Sequence, residues 1–256
     1  MNTVELSLGS CKPFEFMAPW RSIKAVCAND FALDLGTANT LIYTGEQGIV
    51  VNQPSVIAVE EISDKVLAVG HAAKEMLGKT SRAIRCIRPM KDGVVADSQM
   101  TALMMRQFLR TARRRRCLFK PQVVIGVPGG TTQVEKRAVI EALHVAGARA
   151  VKLVEEPMAA AIGAGLPVDK SIGSMIVDIG GGTTEVAVLT RNETLYSHSI
   201  RVAGDEMDEA IQRHLQKNHH LQIGILEAER IKLVIGSALP SGKRRFATVC
   251  GRDLST

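Results

Sequence analysis

One short device is written twice in this chain. Phe31-Ala-Leu-Asp34-Leu-Gly36-Thr37-Ala38-Asn39-Thr40 runs as apolar strand, acid, glycine, small polar turn and second strand. Met175-Ile-Val-Asp178-Ile-Gly180-Gly181-Gly182-Thr183-Thr184-Glu185 repeats that order. This is an internal duplication of a β-hairpin, and it restricts the fold to two related halves. Glycines and small hydroxyl residues let backbone N–H groups come close to an anion. An Asp just ahead of such a turn repels phosphate, unless a hydrated cation such as Mg²⁺ sits between them. Two facing hairpins would then grip a polyphosphate from both sides. Taken singly, each hairpin also reads as a tight glycine turn with an Asp side-chain cap. Its repetition after a second buried strand favours phosphate. The device is no Walker loop: GxxxxGK[ST] is absent, and Gly180–Gly182 opens onto a strand instead of a helix.

Hydrophobic periodicity sets the device in an α/β fold with mixed sheets covered by helices. Strands are expected at Phe31–Leu35, Thr40–Thr44, Ile49–Val51, Val56–Glu60 and Val66–Val69, the last two in a small subdomain. Further strands are expected at Gln122–Val127, Val151–Val154, Met175–Ile179 and Glu185–Leu189. Helices are expected at Gln99–Thr111, Thr132–Ala146, Glu156–Ala164, Glu206–Lys217 and Glu227–Ser237. In the second of these, Val134, Ala138, Val139, Ala142 and Leu143 face inward, and Gly147 ends the helix. Residues 1–30 read as an extension. There Phe16, Trp20, Ile23 and Cys27 would share one helical face that Pro19 interrupts.

Between the two hairpins lies Val154-Glu155-Glu156-Pro157-Met158-Ala159-Ala160-Ala161-Ile162-Gly163. Two acids close a strand, and Pro157 starts a helix of small residues that suits close packing at a hinge. Acids here are stabilised by the helix N-terminus, and a carboxylate so placed can orient a water for attack on a γ-phosphate. A plain N-terminal cap remains the alternative.

The net charge of +6 suits an acidic partner, whether nucleotide, anionic lipid or nucleic acid. Its excess is concentrated at Arg113–Arg116 and in residues 243–245, with no extended basic stripe and no aromatic stacking platform, which argues against nucleic acid. The five cysteines are scattered without a CxxC pair and read as free thiols in a reducing cytoplasm. No apolar run is long enough to span a bilayer, and no signal peptide is recognisable.

Paired DxG hairpins joined by EEPMAAAIGAG resemble the superfamily of actins, heat-shock chaperones and sugar kinases. The longer wording is narrower. DLGTANTLIY, GIVVNQPSVIAV, AVGHAAKEMLGKT, IRPMKDGVVAD, EKRAVIEA, DIGGGTTEVAVL, IRVAGDEMDEAI and ERIKLVIGSA resemble the MreB family of bacterial actins from about Phe31 onward. The resemblance implies the actin-like ATPase fold, with ribonuclease H-like duplicated lobes. It puts the first lobe at 31–170, with a small insert at about 55–96, and the second at 171–256. It implies ATP and Mg²⁺ as ligands, with weak Mg²⁺-dependent hydrolysis. Asp34 and Asp178 would hold the Mg²⁺ through water, Gly36, Thr37, Ala38 and Asn39 would form one phosphate loop, and Gly180, Gly181, Gly182 and Thr183 the other. Glu155 and Glu156 would lie at the catalytic connection, with Glu156 positioning the attacking water. Gly204 and Asp205 would continue the cleft, and Glu229 and Lys232 would meet the ribose and adenine. Without the resemblance, those last two read equally well as a surface i,i+3 ion pair.

The resemblance also gives Arg113, Arg114, Arg115 and Arg116, with Leu118 and Phe119, a membrane role. The arginines would attract anionic lipid at roughly 1 kcal/mol each, and the two apolar residues would insert shallowly. A solvated basic helix end is the alternative. The implied protein is a self-assembling filament at the inner face of the cytoplasmic membrane that determines cell shape with the cell-wall synthesis machinery. A non-polymerising paralogue that co-assembles with full-length filaments is the second reading, and another ATPase of the superfamily, chaperone or kinase, the third. Two departures stand out. Gly130 replaces the usual serine, and the wording through Cys250–Thr256 corresponds to a strand inside the second lobe, so that lobe is expected to be incomplete and nucleotide binding weakened.

Overall fold

The computed structural model describes residues 30–113, 120–239, 242 and 245–255. The extension before Asp30, the membrane candidates Arg114, Arg115, Arg116, Leu118 and Phe119, and Lys243 lie outside the described residues.

The first hairpin is β1 (Phe31–Leu35) and β2 (Asn39–Thr44), and β3 (Gly48–Pro54) continues it antiparallel. The chain then makes a small subdomain: β4 (Ile57–Glu60), β5 (Val66–Val69), α1 (His71–Met76), β6 (Ile84–Ile87), β7 (Met90–Lys91) and β8 (Val94–Val95). Its sheet runs β5-β4-β6, packed around Val56, Ala58 and Ala73. Next come α2 (Ser98–Ala112), β9 (Gln122–Val127), α3 (Gln133–Ala146) and β10 (Ala150–Glu155). β9 lies parallel to both β1 and β10, which gives a five-stranded sheet of order β10-β9-β1-β2-β3.

Local chemistry sets the helix ends. Asp97 caps α2 by accepting the Met100 amide at 3.0 Å. Thr132 and Glu135 form a reciprocal capping box on α3, and Gly147 closes that helix at φ 115°, a conformation that disfavours any side chain. α2 and α3 cover one face of the sheet. Phe31, Leu33 and Leu35 meet Met104, Met105, Phe108 and Leu143 there, all 5% exposed or less. Each such side chain contributes about 1.5–3 kcal/mol through burial.

α4 (Glu156–Gly163) leaves this sheet and packs on the next one, formed by β11 (Ser174–Ile179), β12 (Thr184–Thr190) and β13 (Glu193–Ile200) in the order β11-β12-β13. Ala161 sits directly over Leu189 in that contact, and both are 0% exposed. A small residue is what lets the helix come this close. α5 (Gly204–His219), β14 (Leu221–Gln222), α6 (Ile225–Ile235) and β15 (Arg252–Asp253) complete the described chain, with a minor core of Ile223, Ala228 and Ile231.

The duplication is visible bond for bond. Gly36 N donates to Asn39 O at 3.0 Å, and Gly180 N donates to Thr183 O at 2.9 Å. Leu35 faces Thr40 as Ile179 faces Thr184. The packing around the copies differs. Phe31, Leu33 and Leu35 are 1%, 4% and 5% exposed, whereas their counterparts Met175, Val177 and Ile179 are 65%, 49% and 60% exposed. β1 has β9 on its outer side; among the described residues β11 pairs with β12 alone.

The expected α/β elements are present, with corrections at several places. Val134 is 77% exposed: it stands in the first turn of α3, ahead of the buried stripe that starts at Val139. α5 begins at Gly204, two residues before the expected Glu206. α6 runs Ile225–Ile235 instead of Glu227–Ser237, because Gly224 and Gly236 flank it. β13 was not anticipated, since its mostly exposed residues carry no apolar alternation.

The unequal packing of the copies has a measurable consequence. Leu33→Ala should cost about 2–5 kcal/mol in denaturant unfolding, while Val177→Ala at the matching position should cost under about 1 kcal/mol.

Candidate functional site

The two hairpins meet tip to tip across a cleft of about 870 Å³. A Cβ on Gly181 would lie 2.7 Å from Ala38 Cβ, and one on Gly182 would lie 2.8 Å from Thr37 Oγ1. These glycines are therefore required by the neighbouring hairpin; neither has a positive φ. Thr37 Oγ1 also accepts the Gly93 amide at 3.0 Å, tying the small subdomain to the first tip. At the second tip, Asp205 N donates to Gly181 O at 2.8 Å, so the start of α5 holds that turn. The Gly36 and Gly180 amides close their own turns, which leaves residues 37–39 and 181–183 as the loop tips.

Carboxyls gather on the cleft wall. Asp34 and Asp178 stand one residue before Leu35 and Ile179 at the ends of equivalent strands, and both line the cleft with Glu156 and Glu185. Asp34 is open to the cleft but walled by protein elsewhere. That partial burial, and then the charge of Asp178, push its carboxyl up. Glu156 is pushed up to about 8, first by burial and then by Asp34, Glu185 and Asp178. Its Cγ lies 2.9 Å from where a Cβ on Gly126 would be, so β9 needs glycine there for Glu156 to lie across it. Burial also raises Glu185, and the Gly129 amide opposes that rise. Among the described residues, no three His, Cys, Asp or Glu side chains are grouped as direct metal ligands.

Gly36, Thr37, Ala38, Asn39, Gly180, Gly181, Gly182, Thr183, Gly204, Asp205, Glu229 and Lys232 all line this one cleft. Glu155 does not. Its side chain is exposed and accepts the Thr194 hydroxyl at 2.7 Å, because the chain turns from β10 into α4 at that residue and only Glu156 points inward.

Glu229 and Lys232 are not paired with each other. Lys74 Nζ in α1 reaches Glu229 Oε2 at 2.6 Å across the cleft mouth. Lys232 Nζ lies 2.9 Å from Asp208 Oδ1 and donates to Gly204 O at 2.8 Å. Arg88 makes a second cross-cleft pair with Asp205 at 3.2 Å. The sequence reading singled out none of Lys74, Arg88, Glu185 and Asp208. Lys74 and Arg88 stand in the quoted segments AVGHAAKEMLGKT and IRPMKDGVVAD, but their partners lie more than a hundred residues away and spacing carries no signal for them.

Two sheets that share a hairpin plan, a helix crossing between them and a cleft where the hairpins touch define the actin-like ATPase fold. The sequence profile of the MreB/Mbl protein family matches residues 28–256, and the chain belongs to that family. It is 51% identical over 240 residues to the cell shape-determining protein MreB of Escherichia coli K12, covering 92% of this chain and 69% of that protein. It is similar in structure to MreB5 of Spiroplasma citri bound to ADP, with a TM-score of 0.83 and 34% identity, covering 90% of this chain and 69% of that one. MamK in its double helical filament matches with a TM-score of 0.66 at 21% identity over 80% of this chain and 64% of that one, a likeness of fold alone.

The raised carboxyl of Glu156 makes stability pH-dependent. Its folded pKa is about 8 against an ordinary 4.5, so the native state binds the proton more tightly. The stability this contributes is full below the lower value and is lost as pH rises through the upper one. Glu156→Gln should therefore gain in melting temperature relative to the parent between about pH 5 and about pH 9, measured without nucleotide. Lys232→Met leaves the Asp208 carboxyl buried without its cation and should cost on the order of 3 kcal/mol in denaturant unfolding.

Proposed function

We propose that this chain is an ATP-binding, membrane-associated actin-like filament protein that determines cell shape by guiding cell-wall synthesis. The observation that carries the reading is the tip-to-tip meeting of two hairpins of the same plan beside a wall of carboxyls. In support, the Spiroplasma citri MreB5 structures are described as bound to ADP and to AMPPNP, and the Escherichia coli relative is named for determining cell shape.

In this reading the tip amides of residues 37–39 and 181–183 receive the β- and γ-phosphates from opposite sides. The residues present fit a hydrated cation better than a directly ligated one: acids line the wall, yet among the described residues none are grouped as a direct ligand set. Asp34 and Asp178 would hold the water shell of Mg²⁺, which when bound supplies charge neutralisation on the phosphates. Glu156 accepts a hydrogen bond from the attacking water and aims it at the γ-phosphorus. Glu229 and Lys232, on α6 at the far end of the cleft, meet the ribose and adenine. Lys74 shields Glu229 from solvent on that side.

The partners are further copies of the chain or a longer relative, the cell-wall synthesis machinery, and the inner face of the cytoplasmic membrane. Arg113–Arg116 supply the lipid attraction, and Leu118 and Phe119 the shallow insertion. The protein then works in the cytoplasm, peripheral to that membrane.

Phosphate release, pelleting and vesicle binding test this together. With ATP and Mg²⁺ the protein should release phosphate slowly, sediment as polymer, and co-sediment with vesicles of anionic lipid more than with zwitterionic ones. Glu156→Ala should slow release at least tenfold with ATP still bound. Protein that neither binds ATP nor pellets with it contradicts the reading.

A further inference from the structure

A hairpin tip that receives phosphate must turn its amides toward the anion and keep its own carbonyl oxygens, which repel phosphate, engaged elsewhere. The two tips meet this demand by different means. In the second, backbone amides do it. Gly180 O accepts the Gly204 amide at 3.2 Å, Gly181 O the Asp205 amide at 2.8 Å, and Thr183 O the Gly180 amide at 2.9 Å. In the first, Asn39 O accepts the Gly36 amide at 3.0 Å, and two further carbonyls go to one residue, Ser55. The Ser55 hydroxyl donates to Gly36 O at 2.7 Å, and the Ser55 amide donates to Ala38 O at 2.9 Å. A side chain thus does for Gly36 what the start of α5 does for its counterpart Gly180.

Local structure sets Ser55 in that place. β3 ends at Pro54, whose carbonyl accepts the Val56 amide at 2.8 Å, and the three-residue turn so closed has Ser55 at its centre. Ser55 and Thr40 are both 0% exposed, and their hydroxyl oxygens lie 2.9 Å apart. A hydroxyl has one proton to donate. That of Ser55 goes to Gly36 O, so Thr40 is the donor in this pair and holds the Ser55 hydroxyl to its direction. Thr184, which matches Thr40 in the second hairpin, donates to Val202 O at 2.7 Å instead. Pro54 and Val56 line the cleft, whereas Ser55 and Thr40 do not. Ser55 therefore reaches a ligand only through the tip.

We propose that Ser55 is the positioning residue of the first phosphate loop. Its hydroxyl and its amide draw the Gly36 and Ala38 carbonyls back into the protein, so that the amides of residues 37–39 turn together toward the β- and γ-phosphates. Thr40 fixes the hydroxyl in turn. The proposal rests on the ATP reading above and deepens it, because it makes the shape of the first loop depend on one side chain. The second loop takes its support from backbone amides, which a side-chain substitution leaves in place.

The test compares the parent with Ser55→Ala, Ser55→Cys, Thr40→Val and Thr101→Val. Thr101 is also 0% exposed, and its hydroxyl donates to Asp97 O at 2.7 Å within α2, so it controls for losing a buried hydroxyl away from the cleft. Circular dichroism, melting temperature and calorimetric affinity for ATP with Mg²⁺ would be measured, with the phosphorus NMR spectrum of bound ATP at saturation. Ser55→Ala should weaken ATP binding at least tenfold and Thr40→Val about threefold, with Thr101→Val within about twofold of the parent although its melting temperature also falls. In Ser55→Ala the bound β- and γ-phosphorus resonances should move toward their positions in free ATP while the α resonance stays, a change that general destabilisation does not produce. Ser55→Cys keeps the shape and donates weakly; it should fall between parent and Ser55→Ala, and it decides the matter where Ser55→Ala does not fold. Parent-like affinity and phosphorus spectrum in the folded Ser55 variant, or an equal loss of affinity in Thr101→Val, would overturn the proposal and leave Ser55 a core hydroxyl. Those outcomes spare the ATP reading; a folded parent that does not bind ATP overturns both.

Discussion

The contact between the two hairpin tips is the constraint on which the rest of the molecule depends. Gly181 and Gly182 admit Ala38 and Thr37 at distances that no Cβ would allow. That contact fixes how the two sheets face each other, and with it the width of the cleft. The Gly129–Glu185 hydrogen bond then links the two sides of the cleft, and the Thr37–Gly93 bond ties the small subdomain to the first tip. α4 supports the same geometry from behind, since its alanines let a helix that begins on one sheet rest on the other.

Electrostatics gives the cleft its direction. Acids collect where the tips meet, and burial together with their mutual repulsion raises Asp34 and Glu156. At the cleft mouth the order reverses: Lys74, Arg88 and Lys232 each sit against an acid of α5 or α6. A ligand that brings phosphates with a cation to the acidic end, and a neutral ring to the paired end, complements both. The part-exposed Lys74 and Arg88 pairs contribute about 0–1 kcal/mol each, so the mouth is held weakly, whereas Lys232 meets a buried carboxyl within the second half. The tips, which depend on steric fit, are held firmly. Opening therefore costs least at the small subdomain, where a nucleotide would enter.

Much of this was legible in the sequence because the key features are local. A strand that ends in Asp and runs into small residues announces its own hairpin, and two copies announce two sheets. The acidic pair Glu155–Glu156 was legible for the same reason, as acids beside Pro157 at a helix start. What escaped depends on distance. Lys74 finds Glu229 only once the small subdomain folds over α6, and Glu185 reads as one polar residue on an amphipathic strand until Gly129 is brought to it. Glu155 and Glu156 are adjacent and identical, so only the turn of the chain decides which faces the cleft. The exposure of Val134 and of the β11 face was equally hidden, because apolar periodicity reports which face an element offers and not whether anything covers it.

The central claim is that the touching hairpins form one site for Mg²⁺ and ATP. Calorimetric titration of ATP into the protein, with and without Mg²⁺, beside the Gly181→Val variant, tests it most directly. The account predicts a single Mg²⁺-dependent site in the parent and its loss in Gly181→Val, whose circular dichroism stays native. Binding that is indifferent to Gly181, or no binding by a folded parent, would contradict it.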